Sequence, residues 1–239
     1  MRIALLGYGK MGKEIEKIAL ERKHKIALKI DIDNIGDLTK ENLLLADVAV
    51  DFSTPGSAYN NIMKCFEANI PVVCGTTGWH DRIDDVSEYC RNHSKTFFYA
   101  SNYSIGVNLF FRVNKYLAGL MNKFSDYNVS VTETHHIHKV DAPSGTAITT
   151  AEGILEKLDR KKNWELENES APDVIRINAV REDEIPGIHE VRYTSEIDFL
   201  EIKHSAFSRK GFALGAVLAA EFLIGKTGYY TMDNLLNAD

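Results

Sequence analysis

Met1-Arg-Ile-Ala-Leu-Leu-Gly-Tyr-Gly-Lys-Met-Gly12 opens the chain and decides the fold of its first half. The apolar residues up to Leu6 predict a buried strand, and the glycines that follow have the spacing G-x-G-x-x-G. Apolar residues at helical spacing come next, and Lys25–Ile30 predict a second strand that ends at Asp31. A glycine loop between a strand and a helix, with an acid after the next strand, is the dinucleotide-binding fingerprint. This stretch therefore predicts a nucleotide-binding fold.

Three further predicted strands in the first half also run into polar or glycine-rich loops. Residues 46–52, 70–74 and 96–100 are short apolar runs separated by predicted helices. Strands that alternate with helices indicate a doubly wound parallel sheet, in which ligands bind at the carboxyl ends of the strands. We therefore predict a Rossmann-like α/β domain with one cofactor cleft. The predicted cofactor-binding residues are Gly7, Tyr8, Gly9, Lys10, Met11, Gly12, Asp31, Gly75, Thr76, Thr77, Ala100, Ser101, Asn102 and Tyr103.

The residues around the end of the second strand bear on the choice between NADH and NADPH. Asp31 suits the free ribose hydroxyls of NADH and would repel a 2′-phosphate. The next residue is Ile32 rather than an arginine that could bind that phosphate. Because Lys29 or Lys10 could still reach the phosphate, we predict NADH as the cofactor and leave the use of NADPH open.

The second half of the chain has a different order of elements. Several predicted strands follow one another without helices between them, which indicates an inserted α+β domain. We place this substrate and oligomerisation domain at residues 104–212, and the dinucleotide-binding domain at residues 1–103 plus 213–239. The predicted elements are helices over residues 105–122, 147–158 and 212–224, strands over 127–133, 173–180, 187–193 and 196–203, and a loop over 161–171.

Composition narrows the classes of partner and compartment. The 239 residues carry a formal net charge of −6, which argues against a nucleic-acid partner. The cysteines Cys65, Cys74 and Cys90 form no C-x-x-C pair and are odd in number, which favours a reducing compartment over a disulfide framework. No apolar run reaches the roughly 18 residues of a membrane span, and the residues before Gly7 do not form a signal segment. We therefore predict a cytoplasmic protein that binds neither nucleic acid nor membrane.

A second stretch, Glu133-Thr-His-His-Ile-His-Lys-Val-Asp-Ala-Pro-Ser-Gly-Thr-Ala147, concentrates groups that exchange protons near neutral pH. Its Pro143–Thr146 segment precedes a predicted helix, whose first N–H groups form an anion site. Metal binding is an alternative, because His136 and His138 alternate onto one face of an extended chain as zinc ligands can. The positive charge of Lys139 beside them argues against it, and we predict no metal site.

The same stretch resembles the signature of bacterial dihydrodipicolinate reductases, also called 4-hydroxy-tetrahydrodipicolinate reductases. The similarity extends over nearly the whole chain. Gly7–Gly12, Asp51–Ser53, Gly75–Gly78 and Asn102–Asn108 resemble the cofactor half of that family, and Gly187–His189, His204, Arg209 and Phe212–Ala216 resemble its closing half. The resemblance implies an NADH- or NADPH-dependent oxidoreductase that reduces a small cyclic dicarboxylate to tetrahydrodipicolinate, on the route to diaminopimelate and lysine.

The resemblance also implies the roles of individual side chains. His135 would donate or accept a proton, and Lys139 would donate one. Substrate would be bound by His136 and by the backbone of Gly145 and Thr146, with Ser144 shaping that turn. A homotetramer assembled through the sheet of the second domain is implied as well. Two alternatives stay open: an NAD-binding sensor, which would not need these acids, and a reductase of another small cyclic dicarboxylate.

Overall fold

The computed structural model describes residues 1–167 and 171–238, apart from the side chain of His80. The chain divides into two compact units, one formed by Met1–Ile105 with Arg209–Asp239 and the other by Gly106–Ser208. These boundaries lie near the predicted ones, and the roles that we assigned to the two domains stay predictions. Part of the predicted loop, residues 168–170, and residue 239 lie outside the described residues.

Strands and helices account for most of the described chain. The strands are β1 (Arg2–Leu6), β2 (Lys25–Ile30), β3 (Val48–Asp51), β4 (Val72–Cys74), β5 (Thr96–Tyr99), β6 (Asn128–His135), β7 (Asn163–Leu166), β8 (Val174–Arg181), β9 (Ile188–Thr194), β10 (Phe199–Ser205) and β11 (Gly228–Tyr230). The helices are α1 (Lys10–Glu21), α2 (Lys40–Leu43), α3 (Pro55–Glu67), α4 (Ile83–Asn92), α5 (Ile105–Met121), α6 (Gly145–Leu155), α7 (Lys210–Leu223) and α8 (Met232–Leu236). None of the helices in the described ranges has both the length and the apolar character needed to cross a membrane.

The first unit is a parallel sheet with helices on both faces. Its strands lie in the order β11-β5-β4-β3-β1-β2. Successive side chains of β1 enter different cores, since Ile3 and Leu5 pack with α1 and α7 whereas Ala4 and Leu6 pack with α3 and α4. Strands buried on both faces are apolar throughout, which is why they were readable as continuous runs in the sequence. The predicted doubly wound parallel sheet is confirmed.

The carboxyl ends of five strands form one row. Leu6 pairs with Ile30 of β2 and with Asp51 of β3, Asp51 pairs with Cys74 of β4, and Cys74 pairs with Tyr99 of β5. The loops that begin one residue later therefore all leave the sheet at the same edge. This register places every group of predicted cofactor-binding residues along that edge.

The sheet of the first unit gains a sixth strand that the sequence did not reveal. The three residues of β11 pair in parallel with β5, where Gly228 lies opposite Thr96. The neighbouring residues Tyr229 and Tyr230 pack against cores on opposite faces of the sheet. A run this short has too few residues to show a period of two, so only its pairing with β5 identifies it.

The second unit contains a mixed five-stranded sheet in the order β10-β9-β6-β8-β7. Strand β6 is parallel to β8 and antiparallel to β9, and β10 is antiparallel to β9. Helices α5 and α6 cover one face, where Val131, Ile177 and Val191 form the centre of the core. The predicted α+β character of this part of the chain is confirmed.

The prediction of a loop over residues 161–171 was wrong for residues 163–166. These residues form β7, which pairs in parallel with β8 at the edge of the sheet. The strand is polar apart from Trp164 and Leu166, because an edge strand is exposed on one side and needs few apolar side chains. Trp164 packs against the core of the unit and fixes the position of the strand.

Candidate active site

The glycine loop after β1 is shaped by close backbone packing at two of its three glycines. Gly7 has φ +90°, and a Cβ there would lie 2.3 Å from the carbonyl oxygen of Phe52. A Cβ at Gly12 would lie 2.3 Å from the carbonyl oxygen of Gly7. At Gly9, by contrast, a Cβ would meet no described atom within 4 Å. The open space at Gly9, directly before the first turn of α1, fits the approach of a pyrophosphate to the helix N-terminus.

The other loop residues are arranged around this opening. Lys10 begins α1 with an exposed side chain, and the partly buried Met11 packs against the core beside α1. Asp31 is exposed after β2, where its Oδ1 accepts a hydrogen bond from the backbone N–H of Ile32 at 2.9 Å. The side chain of Ile32 is exposed.

A cluster of Tyr8, Glu16 and Lys29 lies beside the glycine loop. Lys29 Nζ is 2.7 Å from Glu16 Oε1 and 4.7 Å from the centre of the Tyr8 ring. The Tyr8 hydroxyl donates a hydrogen bond to Glu16. Hydrogen bonding to Lys29 and Tyr8 lowers the pKa of Glu16, and the pairing with Glu16 raises the pKa of Lys29. The Glu16 carboxylate and the Lys29 ammonium group are therefore both ionised, and their opposite charges compensate each other.

Asp51 is a fully buried carboxylate at the end of β3. It accepts hydrogen bonds from Thr76 Oγ1 at 2.5 Å, from Asn61 Nδ2 at 2.7 Å and from Ser53 Oγ at 2.9 Å. Burial raises the pKa of Asp51, and these hydrogen bonds oppose that rise. The network joins the loop after β3 to the loop after β4, and it uses the hydroxyl of Thr76 inside the protein.

The loop after β5 is fixed by Tyr103. This buried side chain donates a hydrogen bond from its hydroxyl to the carbonyl oxygen of Cys74 at 2.8 Å, and burial raises its pKa well above the ordinary value. Asn102 Oδ1 accepts a hydrogen bond from the backbone N–H of Ser104 at 2.9 Å. Of the remaining predicted residues, Ala100 is buried, Gly75 is partly buried, and Thr77 and Ser101 are exposed.

In the second unit, β6 carries polar residues where the core would otherwise continue. Burial alternates along the strand, so Glu133 and His135 point to the same face as the apolar Val129 and Val131. Glu133 is fully buried and His135 is 7% exposed. Two ionisable side chains thus replace apolar ones at the end of this face.

Several groups converge on the Glu133 carboxylate. The backbone N–H of Ser144 is 3.1 Å from both of its oxygens, and Arg181 Nη2 is 3.1 Å from Oε1. His135 Nδ1 lies 3.3 Å from Oε2. Burial by itself would raise the pKa of Glu133, but the interactions with His135, Ser144 and Arg181 outweigh it and lower the pKa to about 2.

His189 lies beside this cluster and is neutral. Burial lowers its pKa to about 3, and its Nε2 is 3.2 Å from the hydroxyl oxygen of Ser144. Within the described part of the chain, Glu133, His135 and His189 have the spacing of metal ligands, with their ligand atoms within 4.8 Å of one another. The carboxylate already accepts hydrogen bonds from Ser144 and Arg181. We therefore interpret the group as a hydrogen-bonded network.

Helix α6 begins directly beside this network. Ser144 is its N-cap, and the Ser144 hydroxyl accepts a hydrogen bond from the backbone N–H of Ala147 at 3.2 Å. The backbone hydrogen bonds of the helix begin with Ile148 N–H, which donates to the carbonyl oxygen of Ser144 at 3.0 Å. The amides of Gly145 and Thr146 precede that bond, and a Cβ at Gly145 would meet no described atom within 4 Å. The start of α6 therefore has open space at Gly145, where an anion could approach the helix N-terminus.

The turn between β6 and α6 carries Lys139. Its Nζ is 2.7 Å from both carboxylate oxygens of Asp141, and this pairing lowers the pKa of Asp141. The partly buried His136 packs near His138, with 6.0 Å between the ring centres. His138 is exposed, and its Nε2 is 3.0 Å from Glu184 Oε1. One turn thus brings together an ammonium group and two imidazoles next to the open end of a helix.

Comparison with known proteins decides the family. The sequence model of the dihydrodipicolinate reductase N-terminus matches residues 1–103, and that of the C-terminus matches residues 106–236. The chain belongs to the dihydrodipicolinate reductase family. A 4-hydroxy-tetrahydrodipicolinate reductase from Christiangramia forsetii is 51% identical over 237 residues, which cover 99% of this chain and 98% of that one. One from Staphylococcus haemolyticus is 33% identical and covers 98% of this chain and 100% of its own.

A solved relative confirms the fold of this dihydrodipicolinate reductase family member. The dipicolinate-bound dihydrodipicolinate reductase from Paenisporosarcina sp. TG-14 has a TM-score of 0.79 and 24% identity, with 98% of each chain covered. The comparisons favour the prediction that the protein is a reductase over the alternative that it is an NAD-binding sensor.

Sequence reasoning did not assign a role to Glu133 or Arg181 in the second unit, or to Asp51 in the first. The alternation along β6 puts Glu133 on the buried face of the strand. An acidic residue at a position where the pattern predicts an apolar one could have indicated its role from the sequence. Asp51 likewise is the last residue of an otherwise apolar strand. No comparable signal existed for Arg181, because only the parallel pairing of β6 with β8 brings it opposite His135.

Proposed function

We propose that this chain reduces 4-hydroxy-tetrahydrodipicolinate, by way of dihydrodipicolinate, to tetrahydrodipicolinate in the pathway to diaminopimelate and lysine. The observation that carries the proposal is the turn of the second unit, where His135, His136 and Lys139 lie next to the open first turn of α6. A full-length relative that is 51% identical and bears the name of this reductase supports the choice of substrate. The first unit supplies the nucleotide fold that such an oxidoreductase needs.

The loops along the sheet edge of the first unit would hold the cofactor. The pyrophosphate would lie over Gly9 at the start of α1, and the adenosine ribose would bind Asp31. The loops at Gly75–Thr77 and Ala100–Tyr103 would contact the nicotinamide end, with Thr76 and Tyr103 shaping them through internal hydrogen bonds. When bound, the cofactor supplies the hydride.

We propose a preference for NADH over NADPH. Asp31 would repel a 2′-phosphate, and Ile32 offers it no cation. Of the two basic residues that could compensate, Lys10 is exposed at the start of α1 and Lys29 is paired with Glu16 at 2.7 Å. A cation held by a carboxylate attracts a phosphate less strongly than an unpaired one, so the local charge favours a free ribose hydroxyl.

The second unit would supply the proton and bind the substrate. His135 would donate or accept the proton that accompanies the hydride, and Lys139 would act as a second donor. The substrate carries two carboxylates. One would bind the amides of Gly145 and Thr146 at the start of α6, behind the Ser144 cap. Lys139 and His136 of the turn would bind the other.

We also propose that the protein is a cytoplasmic homotetramer assembled through the sheet of the second unit. The face of this sheet opposite the helices carries a network of ion pairs, in which Arg192 is 2.5 Å from Glu201 and Lys203 is 3.4 Å from Glu190. The exposed Phe199 lies under the Arg192 guanidinium at 4.6 Å. Light scattering on the purified protein tests the tetramer.

The proposed cytoplasmic location has a separate basis. The three free cysteines are buried, which suits a reducing compartment.

The decisive experiment is a spectrophotometric assay of NADH oxidation, repeated with NADPH. Substrate would be made in situ from pyruvate and aspartate semialdehyde by the synthase that forms it. We expect substrate-dependent oxidation, faster with NADH. In Lys139→Ala the rate should fall by roughly 10²–10⁴, the usual contribution of a general acid, while NADH binding persists. A folded protein that binds NADH but shows no substrate-dependent oxidation of either cofactor would overturn the proposal.

A further inference from the structure

Glu133 holds a negative charge on the same face of β6 as the apolar side chains of Val129 and Val131. It is fully buried on the core face of β6, and its carboxylate is ionised because its pKa is about 2. A buried charge is costly unless donors surround it, so its presence calls for a specific use. Three features of the proposed active site depend on its position.

The first feature is the orientation of His135. Its Nδ1 has no hydrogen-bond partner among the described residues, yet it lies 3.3 Å from Glu133 Oε2. On the other side of the ring, Gly187 lies so close that a Cβ there would be 3.1 Å from Nε2. Hydrogen bonds of catalytic groups are often long before substrate binds and shorten in the complex. A carboxylate facing Nδ1 places the proton there and leaves Nε2 to exchange protons with the substrate.

The second feature is the start of α6. The backbone N–H of Ser144 lies 3.1 Å from both oxygens of Glu133, so the carboxylate fixes the residue directly before the amides of Gly145 and Thr146. His189, which is neutral, holds the Ser144 hydroxyl from the other side at 3.2 Å. The same carboxylate therefore sets the distance between His135 and the anion site.

The third feature is the turn that carries Lys139. Arg181 Nη2 is 3.1 Å from Glu133 and 2.6 Å from the carbonyl oxygen of Asp141, and Arg181 Nε donates to the carbonyl oxygen of Lys139 at 3.2 Å. Glu133 therefore holds this guanidinium in place, and the guanidinium in turn fixes the backbone of the turn at Lys139 and at Asp141.

We propose that Glu133 and Arg181 are a positioning pair, which sets His135, the start of α6 and the Lys139 turn at fixed distances from one another for the reduction. The inference rests on the proposed function. Neither residue exchanges a proton with the substrate; each acts through the groups that it holds.

The test compares Glu133→Gln with Glu182→Gln, an exposed neighbour of Arg181 in sequence. Three quantities are measured: kcat, the Kd for NADH by calorimetry, and the Kd for dipicolinate in the presence of saturating NADH.

We expect Glu133→Gln to lower kcat by about 10- to 100-fold, since a misplacement of about 1 Å has an effect of that size. We expect dipicolinate binding to weaken by about tenfold and the Kd for NADH to change less than twofold. Glu182→Gln should match the wild type in all three. A folded Glu133→Gln with kcat and dipicolinate affinity within twofold of the wild type would overturn the proposal.

A second variant separates positioning from stability. Glu133→Gln/Arg181→Met removes both charges and leaves no unpaired ion in the core. If the pair only stabilises the fold, this double variant recovers kcat and dipicolinate affinity, and the proposal is wrong. If the pair positions the site, the protein regains its melting temperature and both defects remain.

A measurement on the wild type needs no variant to fold. Nitrogen NMR of histidine-labelled protein, with His135 assigned, reports which ring nitrogen carries the proton in the neutral form. We expect Nδ1–H, and Nε2–H would overturn the proposal. Failure of the proposed function would look different, because the wild type would then lack substrate-dependent oxidation whatever the state of His135.

Discussion

Lys139 Nζ lies 2.7 Å from each carboxylate oxygen of Asp141, two residues further along the same turn. The lysine is largely shielded and the aspartate is largely exposed, with 21% and 61% of their side chains accessible. Asp141 therefore orients an ammonium group that the fold has already partly enclosed. The pairing lowers the pKa of Asp141, so the carboxylate is ionised throughout the neutral range.

Asp141→Asn should lower kcat by about two- to fivefold, well short of the effect of Lys139→Ala. The variant removes the charge that orients Lys139 and keeps the lysine itself, and an exposed ion pair is worth only about 0.2–1 kcal/mol. Steady-state kinetics on both variants checks this. Equal losses in the two variants would mean that Asp141 takes part in the reaction directly.

Gly9→Ala should leave the fold intact and weaken NADH binding by about tenfold or more, because a methyl group would enter the space of the pyrophosphate. Gly9 has a negative φ and no described atom within 4 Å of its added Cβ, so alanine fits the unliganded loop. Gly7→Ala is the contrasting variant, since its Cβ would lie 2.3 Å from a carbonyl oxygen. We expect that variant to unfold at a lower temperature. Calorimetry and thermal melts measure the two effects, and unchanged NADH affinity in Gly9→Ala would place the cofactor elsewhere.

Glu16→Gln should raise the ratio of kcat/KM for NADPH to that for NADH by about two- to fivefold, the range expected when one exposed ion pair is removed. The change releases Lys29 from the carboxylate 2.7 Å away and makes its charge available to a 2′-phosphate. Glu14→Gln, on the same helix and paired with Lys17, is the matched control and should leave the ratio unchanged. An unchanged ratio in Glu16→Gln would mean that Lys29 does not reach the phosphate.

Tyr103→Phe should lower the free energy of unfolding by about 1 kcal/mol and leave NADH binding unchanged. The lost hydroxyl donates to the carbonyl oxygen of Cys74 inside the first unit. Tyr193→Phe serves as the control, because the buried Tyr193 hydroxyl has no hydrogen-bond partner among the described residues. Denaturant melts and calorimetry test the pair. Normal stability with weak NADH binding in Tyr103→Phe would show that the hydroxyl faces the nucleotide.

The stabilising contribution of Glu133 should disappear in acid. Its pKa is lowered from 4.5 to about 2 in the folded protein, so its contribution is fully present above about pH 4.5 and is lost as the pH falls towards 2. The shift corresponds to roughly 3 kcal/mol at neutral pH. The difference in unfolding free energy between wild type and Glu133→Gln should therefore stay constant above about pH 4.5 and shrink as the pH falls from there towards about 2. A constant difference over that range would mean that the folded and unfolded states bind the proton equally.

Much of the first unit could be predicted because its information is local. Gly7–Gly12 and Asp31 have fixed spacings along the chain, and in a parallel sheet the loops after successive strands leave the same edge. The prediction that these loops share one edge therefore needed only the parallel arrangement of the strands, and the structure supplied their order and register. The His-rich turn of the second unit was equally visible, since its side chains are adjacent in sequence.

Contacts between residues far apart in sequence could not be predicted in this way. Thr76 and Tyr103 are predicted cofactor-binding residues, and only the structure shows that their hydroxyls donate hydrogen bonds to Asp51 and to the carbonyl oxygen of Cys74. Strand β11 and strand β7 were missed because each is short and is defined by its partner strand. These outcomes depend on which strands lie side by side.

The sequence by itself determined the nucleotide fold, the family and the candidate residues for the chemistry, because each is encoded by side chains a few positions apart. Only the tertiary structure decided what holds those residues in place. Glu133 contacts Ser144 across a turn and Arg181 across a pair of parallel strands. No sequence pattern predicts either contact. A buried charge is stable only where the fold brings donors to it from several segments, so its role becomes visible only when those segments have packed.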